Sequence, residues 1–118
     1  MSLDDVTQLG ADFWIGPQLQ IDDFAAVAAK GFRSVINTRP DREGPNQPDS
    51  ARLEVAAKRA GLTYAYLPVI PNAISERDVA AFDKYLRDLP GPVLAFCRTG
   101  NRCGMLWSAV QARKAGPQ

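Results

Sequence analysis

Two cysteines and two arginines crowd one stretch of this chain, Pro92 to Met105 (PVLAFCRTGNRCGM). Cys97 follows Val93-Leu94-Ala95-Phe96, a wholly apolar run of the kind that forms a strand buried on both faces. Behind it, Arg98-Thr99-Gly100-Asn101-Arg102 turns into a segment with helical spacing of apolar residues. Gly100 permits a positive φ, so successive backbone N–H groups can converge on one point. The helix that follows adds the positive end of its dipole there. Arg102 supplies a planar fork of donors suited to an oxyanion. A cysteine at the base of such a nest titrates in a range of roughly 3.5–7.5. Its thiolate is then a nucleophile toward an anionic, electrophilic substrate. Cys97 and Arg102 are thus the candidate catalytic pair. Thr99, Gly100 and Asn101 are candidate anion-binding residues, and Arg98 is a rim contact for substrate or a solvated charge. The competing reading of Cys97 is a buried structural cysteine at a strand end.

Other cysteine chemistry fits poorly. The chain has two cysteines and no histidine in 118 residues, too few ligands for zinc and too few thiols for a disulfide scaffold. No metal or cofactor is expected. Cys103 reads as a small residue packed under the loop, or as a resolving thiol for oxidised Cys97. Arg39 and Asp41 fall in a long Pro/Gly-rich stretch, Asn37 to Ser50, and are candidate substrate-binding pocket walls or an ion pair that stiffens the loop.

The elements that must position these residues alternate between strand and helix. Phe13-Trp14-Ile15 reads as a strand, followed by a helix capped near Asp22 or Asp23 that stops at Gly31. Phe32 to Ile36 is a second strand. A helix begins near Asp49 or Ser50 and ends at Gly61, and Leu62 to Leu67 is a third strand. Ser75-Glu76-Arg77-Asp78 reads as a capping box for a helix carrying Val79, Phe82, Leu86 and Leu89. The last helix begins near Cys103, with Trp107 and Phe82 as core residues. This pattern predicts an α/β fold, three-layer αβα around a central, mostly parallel sheet, in a single domain over residues 1–118. Ligands bind beyond the C-terminal strand ends of such sheets, where Cys97 lies.

The charge balance, 14 Lys+Arg against 13 Asp+Glu, argues against nucleic acid or a membrane surface as partner. The apolar runs are too short to span a bilayer, and the acidic start Met1–Asp5 is unlike a signal peptide, so a cytoplasmic location is expected.

FCRTGNRCGMLW resembles the active loop of the beta-lactamase-hydrolase-like phosphatase-like family. Gly31 to Asp41 (GFRSVINTRPD), Gln47-Pro48, Gly61-Leu62-Thr63-Tyr64 and Leu67-Pro68-Val69 extend the resemblance over nearly the whole chain. It implies a tyrosine-phosphatase-like (dual-specificity phosphatase) fold. It also implies either sulfur transfer, since some members are joined to persulfide dioxygenases, or phosphatase chemistry. The family usually has His before the loop cysteine and a hydroxyl residue after the arginine, where this chain has Phe96 and Cys103. It often carries a terminal helix beyond the point where Ala115 to Gln118 end this chain.

Two features separate the reactions. Phosphatases of this fold carry Cys-x5-Arg, whereas four residues separate Cys97 from Arg102, closer to rhodanese-type sulfurtransferases. A phosphatase also needs an acid to protonate the leaving alcohol. The loop Pro68 to Ile74 has no carboxylate, leaving only Asp41 and Glu43 to reach in. The leading expectation is therefore a sulfurtransferase that carries sulfane sulfur as a Cys97 persulfide, using a small anionic sulfur donor. A phosphatase forming a phosphocysteine at Cys97 is the alternative, and a non-catalytic anion-binding module the third reading.

Overall fold

The apolar run before Cys97 forms a strand whose four residues are all buried. In the computed structural model, which describes residues 3–116, this strand is the centre of a five-stranded sheet. The strands are β1 (Thr7–Gly10), β2 (Phe13–Gly16), β3 (Ser34–Asn37), β4 (Thr63–Tyr66) and β5 (Val93–Phe96). Their order is β1-β2-β5-β3-β4. β2, β5, β3 and β4 run parallel, and β1 pairs antiparallel with β2 at one edge.

Strand side chains alternate between two layers. Phe13, Ile36, Val93 and Ala95 pack with residues of α3 (Glu76–Asp88) and α4 (Asn101–Ala115). Val35, Leu94 and Phe96 face the other way, against α1 (Phe24–Ala29) and α2 (Ser50–Arg59). Each fully buried Phe, Leu or Val contributes about 1.5–3 kcal/mol by leaving water. The three-layer αβα arrangement is as expected, and no helix among the described residues is long and apolar enough to cross a membrane.

Several boundaries differ from the sequence expectation for local reasons. β1 escaped notice because its residues are largely exposed and show no alternation. α1 follows a 3₁₀ turn, Ile21–Asp23, and the Asp23 carboxylate accepts from the Gln20 N–H at 2.7 Å, so the helical path begins earlier than Asp22. α2 starts at Ser50, but its first amide donates to Asp41 Oδ1 at 2.8 Å rather than to Asp49. The Ser75–Asp78 capping box forms in both directions. α4 starts two residues before Cys103, because Gly100 takes φ 97° and serves as its N-cap. Pro117 and Gln118 lie outside the described residues.

Candidate functional site

β5 carries Cys97 to the C-terminal edge of the sheet, where its N–H still donates to Gly16 O at 3.4 Å. The chain then reverses through Gly100, whose positive φ lets its N–H donate to Cys97 Sγ at 3.0 Å. Only glycine fits there. A Cβ would lie 3.3 Å from Gly16 O, on a backbone conformation that L side chains disfavour. The Cys97 thiol titrates low, at about 5. The Cys103 side chain is the main cause, donating its S–H to the thiolate, and the N–H groups of Cys103, Thr99 and Gly100 add to it against the opposing effect of burial. Cys103 is itself fully buried, and burial beside that thiolate pushes its own thiol well up. Its Sγ lies 3.3 Å from Thr38 Oγ1.

The two departures from the family pattern have different outcomes. Cys103 in place of a hydroxyl residue keeps the polar support of Cys97, because the thiol does the donating. Phe96 in place of histidine packs into the layer opposite Cys97, while its carbonyl accepts from both the N–H and the hydroxyl of Thr38 at 3.0 Å.

Arg102, in the first turn of α4, is 8% exposed, and three of its five guanidinium N–H donors are committed. Its Nη1 donates to Val69 O at 3.0 Å and Thr38 O at 3.3 Å, and its Nη2 to Glu43 Oε1 at 3.0 Å. Its Nε is buried with no hydrogen-bond partner among the described residues. A buried guanidinium donor without an acceptor is costly, and a bound oxyanion would relieve that cost. Cys97 and Arg102 line one cleft of about 230 Å³ with Arg98, Thr99 and Asn101, walled by Pro71, Asn72, Ile74 and Met105.

The long loop after β3 completes the site, though not as expected. Arg39, 6% exposed, donates from Nε to the same Glu43 Oε1 at 2.9 Å and from Nη1 to Gln18 Oε1 at 3.0 Å. Gln47 pins the loop by accepting from the N–H groups of Glu43 and Gly44 and donating to Pro40 O. Arg39, Glu43, Arg98 and Arg102 line a second cleft of about 540 Å³. Asp41 does not join them. Its carboxylate caps α2, and its N–H donates to Tyr66 Oη, so neither the expected pocket role nor an Arg39–Asp41 pair forms. Arg39 pairs with Glu43 instead.

Glu43 is also no proton donor. Burial works to raise its pKa, but the Arg102 and Arg39 hydrogen bonds and charges outweigh that and hold the carboxyl below its usual range. Thr38, Gln18 and Glu43 as an arginine anchor were not foreseen from sequence. Their roles depend on strand ends meeting in space, and no spacing within one segment signals that.

The matches to known proteins agree with this geometry. The family model described as "Beta-lactamase hydrolase-like protein, phosphatase-like domain" matches residues 5–114. A beta-lactamase hydrolase-like protein of Xylella fastidiosa (strain Temecula1) is 44% identical over 94 residues, which are 80% of this chain and 22% of that protein. The chain thus spans under a quarter of that relative's length. The crystal structure of a candidate phosphatase from Neisseria meningitidis Z2491 superposes with a TM-score of 0.88 at 35% identity, covering 98% of this chain and 82% of the other. Tk-PTP in its active form, at 16% identity, shares the fold with a TM-score of 0.74, over 99% of this chain and 78% of that one. By the match over residues 5–114 the chain belongs to the beta-lactamase hydrolase-like, phosphatase-like domain family, and by the superpositions it has a tyrosine-phosphatase-like fold.

Proposed function

We propose that the domain is a cysteine-dependent phosphatase, the alternative rather than the leading expectation from sequence. The observation that carries this reading is the pairing of a low-titrating thiolate under the Gly100 N–H with an unsatisfied Arg102 Nε in one cleft. The likeness to the Neisseria structure weighs the same way. Cys97 attacks phosphorus as its thiolate, and the bond from phosphorus to the leaving oxygen breaks with its electron pair on that oxygen. Loop N–H groups and Arg102 hold the phosphoryl oxygens through the transition state. Water then attacks the phosphocysteine, the S–P bond breaks, and phosphate and the Cys97 thiolate are released.

Among the described residues lining the two clefts, Glu43 is the sole carboxylate, and it is held ionised. The leaving group therefore departs without a carboxylic acid to protonate it, which restricts the reaction to substrates whose leaving oxygen is already a weak base. The same feature, with the four-residue spacing from Cys97 to Arg102, favours the second reading, sulfur transfer through a Cys97 persulfide, because a low-pKa thiolate or sulfite leaves unaided.

One experiment separates the two. The protein is incubated with aryl phosphate or with thiosulfate, quenched in acid or alkylant respectively, and digested for mass spectrometry. Phosphorylation of Cys97 with aryl phosphate turnover that Cys97→Ser abolishes is the expected result. A sulfur adduct on Cys97 without any phosphate turnover would overturn it in favour of sulfur transfer.

A further inference from the structure

Glu43 Oε1 accepts from both Arg39 Nε and Arg102 Nη2, so the two guanidiniums are no farther apart than those two hydrogen bonds laid end to end. Both arginines are more than nine-tenths buried. Both also keep unused donor capacity. Arg102 Nε is buried without a partner, and the Arg39 hydrogen bonds to Glu43 and Gln18 use its Nε and Nη1, not its Nη2. Gly44 packs close over that Nη2, where a Cβ would come within 2.6 Å of it. The two clefts adjoin, sharing Pro71, Arg98 and Arg102 in their walls. Arg39, Arg98 and Arg102 thus line the wider cleft with its one carboxylate, Glu43, which Arg39 and Arg102 share.

We propose that Arg39, with Arg98 at the rim, forms a second anion site beside the Cys97 cradle, and that the domain selects substrates bearing two linked phosphate groups, a diphosphate or other phosphoanhydride. The proposal rests on the phosphatase reading and names the substrate class for it. One phosphoryl group sits over Cys97 against the loop amides and Arg102. The second is the leaving group, held by Arg39 and Arg98 in the wider cleft. Cys97 sulfur bonds to the first phosphorus as the bridging P–O bond breaks, and the departing phosphate keeps the electron pair. Water then releases the first phosphate, so one anhydride and one water yield two phosphates. A phosphate leaving group is a weak enough base to depart without a proton, which fits a cleft whose one carboxylate is ionised. Arginine forks also suit a neighbouring phosphate better than an uncharged aryl or alkyl group.

The test uses two probes that cannot turn over, methylphosphonate and methylenediphosphonate, and measures how far each protects Cys97 from alkylation by iodoacetamide. In the wild type the diphosphonate is expected to protect at a concentration at least about tenfold lower than methylphosphonate. Arg39→Gln is expected to collapse that ratio toward one, and Arg39→Lys to retain part of it. A wild-type ratio near one refutes the second anion site whatever the variants do, so a variant that fails to fold does not shield the proposal. A ratio that survives Arg39→Gln and Arg98→Gln refutes the assignment of these arginines. Aryl phosphate hydrolysis measured alongside keeps the two levels apart. Turnover without a diphosphonate preference sinks the second site alone, whereas no turnover and no protection by either probe sinks the phosphatase reading with it.

Discussion

Replacing Cys103 by alanine removes the largest single cause of the low Cys97 titration while leaving the loop amides in place. A hydrogen bond to a charged group is worth about 1.5–3 kcal/mol, and a thiol, being a weak donor, belongs at the lower end. At about 1.4 kcal/mol per pH unit, the Cys97 midpoint is expected to move from about 5 to about 6. The assay is the pH dependence of iodoacetamide alkylation. Cys103 cannot confuse it in the wild type, since its own thiol is held protonated far above this range. At pH 5 the thiolate fraction falls from about one half to about one tenth, so the variant reacts roughly fivefold more slowly. At pH 7 both proteins are almost wholly ionised and react alike. Cys103→Ser, which returns a stronger donor at the same place, restores the wild-type midpoint. An alanine variant with an unmoved midpoint, or a serine variant that shifts as far as alanine, would refute the claim that Cys103 supports the thiolate.

Two further outcomes follow from the same geometry. Glu43→Gln leaves the buried Arg39 and Arg102 without their shared anion, so stability measured by urea unfolding falls by roughly 3 kcal/mol and kcat/KM by at least about tenfold. Cys97 titrates at about 5 when folded against an ordinary value near 9.0, so between those limits the unfolded chain binds the extra proton and stability rises with pH. The gap in Tm between wild type and Cys97→Ser is accordingly expected to move in favour of wild type from pH 5 to pH 8, and a gap that stays flat would contradict the folded titration.

What could be read from the sequence follows the range of the interactions involved. The strand-loop-helix unit from Val93 to Arg102 is local. Its apolar run, its Gly100 and its helix start announce a thiolate cradle without reference to the rest of the chain. The capping box at Ser75 is legible for the same reason. Glu43 is not legible in its true role, because its partners Arg39 and Arg102 stand 4 and 59 residues away and meet only when β3 and β5 pair. Asp41 misled for the converse reason. A carboxylate beside an arginine in a functional loop invites a pocket role, but α2 needed a cap for Ser50, and Asp41 was the acceptor that reached it.

The placement of Arg102 explains how a four-residue spacing can still serve the cleft. Its guanidinium joins Thr38 O beyond β3, Val69 O beyond β4 and Glu43 of the connecting loop, while its own helix follows directly from the β5 loop. One side chain therefore ties together the C-terminal ends of three strands, and the fold, rather than the substrate, fixes its orientation. This leaves Nε and one N–H of Nη2 as the donors available for an anion held against Cys97. Lysine cannot take that place, because a single ammonium on a flexible stem cannot hold two carbonyls and a carboxylate and still present another donor in a fixed direction. The electrostatic part of the site is thus built before any substrate arrives, and the thiolate meets an anion cradle whose reorganisation has already been met by folding.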